Sequence, residues 1–207
     1  MKVLGISTSP REKSNSDLLL RQALAGASSV GAEAEYLRLC KLNMSPCTEC
    51  NNCYATGECS IQDDFQIVLA KMLQADRLVF ATPIYFMSVC AQAKILIDRC
   101  QCLWARKYVL KQPVDPLKGR RRLAIVIAVG GTKGTKMFES VRLIMKYYLD
   151  ALDMGCFANL FVNNVDEAGK IADNAGAMEQ AFLLGAELAG TTRPVPENPI
   201  DVELTGP

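Results

Sequence analysis

Apolar positions along the chain switch between two spacings. Residues 2–7 (KVLGIS) form a short apolar run that ends in turn residues, and this predicts a strand. Residues 15–30 carry Leu18, Leu19, Ala23, Leu24 and Ala27 at helical spacing. Residues 33–39 (EAEYLRL) alternate, as a strand near a sheet edge does. Residues 65–73 predict a helix and residues 77–81 (RLVFA) a buried strand. Residues 89–104 predict a helix with Ile95, Leu96 and Leu103 toward the core. Residues 123–129 (LAIVIAV) are the firmest strand, because an unbroken apolar run implies burial on both faces. A helix over 136–152, a strand over 156–162 and a long helix over 168–189 complete the pattern.

Five strands alternate with five helices. That order predicts an α/β fold: a doubly wound, five-stranded parallel sheet in a three-layer α/β/α sandwich. Ligands of such sheets sit beyond the carboxyl ends of the strands, where the strand order reverses. The loops after Ser7, Ala81 and Val129 are therefore the ones to examine. A cysteine-rich connection, residues 40–64, follows the second strand and emerges at the same edge. The pattern predicts one domain over residues 1–190. Residues 191–207 hold Pro194, Pro196, Pro199 and Pro207 and are expected to form an extended tail.

Composition narrows the chemistry. Half of the 207 residues are apolar, enough for a substantial core. Net charge is +1, which gives no global argument for nucleic acid. The N-terminus lacks a signal-peptide pattern and the longest apolar run is too short to span a bilayer. The expectation is a cytoplasmic protein without a membrane partner. Nine cysteines, an odd number, argue against a disulfide framework in that compartment. There is no histidine, which removes Ser-His and Cys-His nucleophile pairs and histidine-ligated metals. Chemistry at neutral pH then calls for a cofactor, with no catalytic side chain.

The loop STSPREKSNS, residues 7–16, offers hydroxyls at Ser7, Thr8, Ser9, Ser14 and Ser16, the Asn15 amide and the Arg11 guanidinium. Together with the opening N–H groups of a helix these make a cup for a terminal phosphate. A polar turn with an N-cap serine is the plainer alternative. After the third strand, Pro83 forces an irregular turn, and Tyr85 and Phe86 place flat side chains at the ligand edge. Those aromatics pack equally well into a core or a subunit interface. The third loop, GGTKGTK, is glycine-rich, so its backbone can approach a ring closely. Its lysines suit an anionic ring or phosphate, or plain solvation.

With each of these signals at a strand end, the chain resembles the flavodoxin-like NAD(P)H-dependent FMN reductases. The phosphate loop with its SNS ending and the run TPIYFMSVCAQAKILIDR carry the resemblance. It implies FMN, with its phosphate on Ser7, Ser9, Arg11, Ser14, Asn15 and Ser16. Pro83, Ile84, Tyr85, Phe86, Met87, Gly130, Gly131 and Thr132 would flank its ring.

Cys47, Cys50, Cys53 and Cys59 fall within thirteen residues. Thiolates suit zinc or an iron–sulfur cluster. Zinc sites bring separated pairs together, whereas three cysteines at consecutive two-residue gaps, with the fourth after a five-residue gap, are similar to a ferredoxin cluster run. On this scaffold the motif resembles the iron–sulfur flavoproteins of anaerobes. That family implies a 4Fe–4S cluster on these four cysteines, a homodimer or homotetramer, and electron transfer, with the cluster near a neighbouring subunit's flavin. Such a protein converts between one-electron carriers such as ferredoxin and two-electron acceptors. The basic segment 106–122 could dock an acidic ferredoxin, or be a solvated connection. Cys40, Cys90, Cys100, Cys102 and Cys156 read as structural. Two alternatives remain: an NAD(P)H-dependent FMN or quinone reductase with structural zinc or no metal, and a flavin-binding redox sensor.

Overall fold

A computed structural model describes the whole chain except Pro116, Lys118, Arg120, Arg193 and Pro207. Its strands are β1 (Lys2–Ser7), β2 (Glu33–Arg38), β3 (Arg77–Tyr85), β4 (Ser88–Val89), β5 (Leu123–Val129), β6 (Gly155–Asn163) and β7 (Ile200–Thr205). Six of them form a parallel sheet in the order β2-β1-β3-β5-β6-β7, and β4 folds back antiparallel on β3. The order reverses between β1 and β3, which makes the carboxyl ends of those two strands the ligand edge. The fold is the expected flavodoxin-like α/β sandwich.

Burial follows the period of two within each strand. Leu4, Ile6, Leu78, Phe80, Ala124, Val126 and Ala128 face one core, and Val3, Val79, Ala81, Ile125 and Ile127 face the other. Helices α1 (Asn15–Ser29), α2 (Cys53–Thr56), α3 (Phe65–Gln74), α4 (Ala91–Arg99), α5 (Gln101–Trp104), α6 (Met137–Ala151) and α7 (Ala175–Gly190) divide between these layers. α1 and α7 cover the second core, and α3 to α6 the first. β2 lies at the sheet edge, and its half-exposed alternation reflects that place.

The structure corrects the sequence reading in several places. The sheet has six parallel strands rather than five, because the tail supplies one. Pro194, Pro196 and Pro199 all precede residue 200, and the proline-free stretch IDVELT pairs in parallel with β6. Val202 and Leu204 pack on the α1/α7 core, while Asp201 and Glu203 meet Arg142 on the other face. β3 continues to Tyr85, four residues past its expected end. Pro83 sits opposite Val129 at the last rung shared with β5, where a missing N–H costs least. The single helix expected over 89–104 begins only at Ala91, since Val89 belongs to the β3–β4 hairpin. It breaks at Cys100 and ends in one π turn over Ala105–Val109. The helix expected from residue 168 begins at Ala175. Gly169 is left-handed there, and the Asn174 side chain caps the Ala177 N–H.

The basic segment is not one exposed strip. Arg122 is buried and donates to the carbonyls of Ala75, Leu152 and Met72. Arg121 donates to the Thr191 and Thr192 carbonyls, and Lys107 is paired with Asp150 and Asp153. Lys118 and Arg120 lie outside the described residues. Among the described residues, no helix is long and apolar enough to cross a membrane.

Candidate functional site

The first loop leaves β1 at Ser7 and enters α1 at Asn15. Ser14 is the N-cap: its Oγ accepts the Asp17 N–H at 3.3 Å. Ser9 Oγ accepts the Arg11 N–H at 3.2 Å. A hydroxyl oxygen that accepts from the backbone keeps its own proton for an outside acceptor. The first N–H groups of α1 have no carbonyl one turn earlier to bond. Ser9, Arg11, Ser14, Asn15 and Ser16 line a shallow cavity of about 60 Å³ with Pro83, Ile84, Tyr85 and Gly131. The donors in this cavity, three hydroxyls, a guanidinium and a helix N-terminus, are those a phosphate takes. The residues therefore fit the terminal phosphate of FMN. The volume is far below the roughly 300 Å³ of a pocket that encloses a drug-sized ligand. A ring held here would lie in the open groove beyond the cup.

Some of the expected residues are already engaged by the protein or lie outside this cup. The Asn15 side chain is already engaged: Nδ2 donates to the carbonyls of Val165 and Glu167, and Oδ1 accepts the Ile171 N–H. It clamps the β6–α7 loop and leaves only its backbone N–H for an anion. Ser7 lies beneath the loop, with its Oγ buried and without a hydrogen-bond partner among the described residues. Phe86 and Met87 form the tip of the β3–β4 hairpin, both left-handed, with Phe86 fully exposed. The Ser140 hydroxyl donates to the Met87 carbonyl and ties the hairpin to α6. Gly130 packs under the loop, where a Cβ would come within 2.4 Å of Met137 Sδ. Of the residues expected on the phosphate, Ser7 does not line the cup; of those expected around the ring, Gly130, Thr132, Phe86 and Met87 lie outside it.

Val129, Val165 and Asp166 line it without having been anticipated. The strand-end rule applies to β6 as it does to β1, β3 and β5, and the loop after Asn163 was the signal available. Arg11 Nη1 donates to the Asp166 carbonyl at 2.9 Å, closing the cup from that side. Beneath it, Thr8 Oγ1 donates to the Ala81 carbonyl, and Cys90 Sγ donates to the Thr8 carbonyl at 3.2 Å. The Cys90 N–H also reaches Thr82 Oγ1. This buried set fixes the phosphate loop to the start of the ring loop.

The cysteine segment curls because Glu49 and Asn51 are left-handed, and Gly57 ends α2 at φ 72°. Cys47, Cys50, Cys53 and Cys59 all line a second cavity of about 690 Å³. Tyr54, Trp104, Leu143 and Tyr147 form its apolar wall, and all four are exposed. Among the described residues, no three histidine, cysteine, aspartate or glutamate side chains converge on a point that would hold a single metal ion. The loop ends are pinned: the Asn43 N–H donates to Asp64 Oδ2, and the Ser45 N–H to Asp63 Oδ2 at 2.8 Å. Arg99, at the end of α4 and 1% exposed, donates through Nε to Cys59 Sγ at 3.2 Å. The Ser60 hydroxyl and the Asn52 N–H hold the Cys50 thiol below its ordinary range. Burial raises Cys53. Cys100 and Cys102 also line the cavity. Burial, then Cys59 and Cys53, push Cys102 up to about 12, so it stands as a neutral thiol. The four-thiol donor set in one cavity fits a thiolate-ligated cluster, whose corners keep the sulfurs apart.

Residues 1–163 match the NADPH-dependent FMN reductase family. An iron–sulfur flavoprotein of Methanocaldococcus jannaschii is 34% identical over 149 residues, which span 72% of each chain. The solved NAD(P)H:quinone oxidoreductase from Methanothermobacter marburgensis superposes with a TM-score of 0.70 at 20% identity, covering 93% of this chain and 99% of that one. A flavone reductase gives 0.67 at 25% identity, covering 91% of this chain, which spans 62% of that protein.

Proposed function

Since the chain belongs to the NADPH-dependent FMN reductase family, as one of its iron–sulfur flavoproteins, we propose that it transfers electrons between FMN and a 4Fe–4S cluster on Cys47, Cys50, Cys53 and Cys59. It is a flavin oxidoreductase. FMN exchanges electrons in pairs or singly and such a cluster singly, so the two together convert between kinds of carrier, ferredoxin being a candidate one-electron partner.

The protein's own residues bind and orient. Ser9, Arg11, Ser14, Ser16 and the first N–H groups of α1 hold the phosphate. Pro83, Ile84 and Tyr85 on one side and Gly131 on the other bound the ring. The observation that carries the cluster reading is the cavity of about 690 Å³ ringed by all four thiols. Zinc draws its sulfurs to about 2.3 Å from one centre. Thiols that share a cavity without converging on one point suit a polynuclear cluster better.

The same cavity supports a homo-oligomer. Tyr54, Trp104, Leu143 and Tyr147 would leave water if a second copy covered them. A neighbour's flavin, open on its outer side, would then face the cluster.

The test is anaerobic purification, with iron, zinc, sulfide and FMN quantified on one sample and mass measured by light scattering. About four irons and four sulfides per FMN are expected. Cys50→Ala should lose iron and keep FMN. Zinc, or flavin without metal, under strict anaerobiosis would refute the cluster reading, and a monomer would refute the assembly.

A further inference from the structure

Arg99 is the last residue of α4, a helix that starts two residues after the β3–β4 hairpin and ends at the cysteine loop. Its side chain is fully buried and lies over the Phe65 ring at 4.5 Å. A guanidinium has five N–H groups, and here each has an acceptor. Nη1 donates to the Ser45 carbonyl and to Asp63 Oδ2, both at 2.8 Å. Nη2 donates to the Ile61 carbonyl at 3.0 Å and to Asp63 Oδ1 at 3.1 Å. The remaining donor, Nε, points at Cys59 Sγ.

That last contact is the informative one. A thiol sulfur is a weak acceptor, so a buried guanidinium N–H aimed at a neutral thiol gains little. Aimed at a thiolate, the same bond is charge-assisted and much stronger. The four other donors hold the two ends of the loop, Ser45 and Ile61–Asp63, to the helix. One residue therefore ties the loop shut and puts a positive charge against one of its sulfurs.

Resting on the cluster reading above, we infer that Arg99 is a positioning residue that sets the reduction potential of the cluster through Cys59. Adding one electron, with no bond made or broken, adds one negative charge to the cluster and its thiolates. A fixed cation and a hydrogen bond at a thiolate stabilise that added charge and raise the potential. Asp63, bound to the same guanidinium, opposes the effect. Removing each partner should shift the potential in opposite directions, and a mere structural tie has no such signature.

The experiment uses the anaerobically purified holoprotein. Arg99→Gln, Arg99→Lys, Asp63→Asn and the double variant Asp63→Asn/Arg99→Gln are titrated with dithionite. The reduced cluster is followed by electron paramagnetic resonance, and iron and FMN are counted in each sample. Arg99→Gln should change the one-electron equilibrium about tenfold toward the oxidised form, which is a fall of about 59 mV. Asp63→Asn should raise the potential. Arg99→Lys, which keeps the charge, and the double variant, which removes both charges, should lie between. Clusters retained with shifts of one sign in both single variants, or with no shift, overturn the inference. So does loss of iron from every variant, Arg99→Lys included, with FMN retained, since Arg99 is then a tie alone. Wild-type protein without iron refutes the cluster reading itself, a separate result.

Discussion

Gly185 and Gly26 sit where α1 and α7 cross, and each faces the other helix's backbone. A Cβ built on Gly185 would stand 1.9 Å from the Ala23 carbonyl oxygen and 2.6 Å from its carbon. On Gly26 it would stand 1.9 Å from the Phe182 carbonyl oxygen. Ordinary contact begins at 3.4 Å, and neither obstacle is a side chain that can swing away. Gly185→Ala must therefore part the helices. Overpacking costs about 1–3 kcal/mol, and a rigid backbone obstacle puts this case at the upper end. Alanine returns about 1 kcal/mol of helix propensity. The net loss is about 2 kcal/mol, or about 4–8 °C in Tm for a domain of this size. Gly190→Ala is the control, because its Cβ would meet nothing within 4 Å. It should leave Tm unchanged or raise it. Thermal unfolding by circular dichroism at fixed FMN concentration compares the three proteins, and FMN affinity should fall with Gly185→Ala because α1 carries the phosphate loop. A Gly185→Ala protein that melts at or above wild type would show that the crossing yields freely, and the argument would fail.

Two smaller predictions concern the same end of α1. Arg11→Ala removes a charged hydrogen-bond donor from the cup and should weaken FMN binding by about 1.5–3 kcal/mol, roughly tenfold to more than a hundredfold in Kd. Flavin fluorescence titration measures this, and an unaltered Kd would leave Arg11 as no more than a tie to Asp166. Asp17 is buried, which alone would raise its pKa, but bonds from the Tyr36 hydroxyl at 2.6 Å and Arg21 at 2.9 Å lower it on balance. A carboxylate depressed in the folded state stabilises fully above the unfolded pKa of about 4 and loses that contribution as pH falls through the folded value. The stability gap between wild type and Asp17→Asn in urea should thus be widest at neutral pH and close below about pH 4; a gap that stays constant with pH would contradict it.

The sheet was legible because its signal is large. A strand such as LAIVIAV, with every residue buried, has no other place in a globular chain. Cysteine spacing likewise announced that Cys47, Cys50, Cys53 and Cys59 would share one region of the fold, since thirteen residues cannot stray far. What escaped were partnerships across long stretches of chain. Asn15 looks like a phosphate donor beside three serines, yet its amide is taken by residues about 150 positions away. Arg99 reads as one more basic residue at a helix end until Asp63, Ser45, Ile61 and Cys59 are seen around it. β7 was obscured by its own prolines, which mark the approach to the strand and not the strand itself.

Backbone conformation was hidden for a related reason. A sequence reader looks for glycine where a chain must turn left-handed. Here Lys13, Glu49, Asn51, Phe86, Met87 and Asn164 are left-handed without being glycine. Lys13 lies in the phosphate loop, Glu49 and Asn51 between the cysteines, Phe86 and Met87 at the ring hairpin, and Asn164 beside Val165 of the cup. Only Lys111 and Asp153, among the described non-glycine residues with positive φ, fall outside these loops. Lys13, Glu49, Phe86 and Met87 each cost roughly 1–2 kcal/mol against a relaxed backbone, and the two asparagines less. Strain of this kind persists only where the surroundings over-determine it. The surroundings do so here: Ser140 and the β3–β4 pairing hold the hairpin, Asp63 and Arg99 hold the cysteine loop, and the Asn164 N–H is bonded to the Thr132 carbonyl. The stable sheet and its two cores thus carry the cost of these loops, and that cost is concentrated in the segments around the two cavities where the chemistry is proposed.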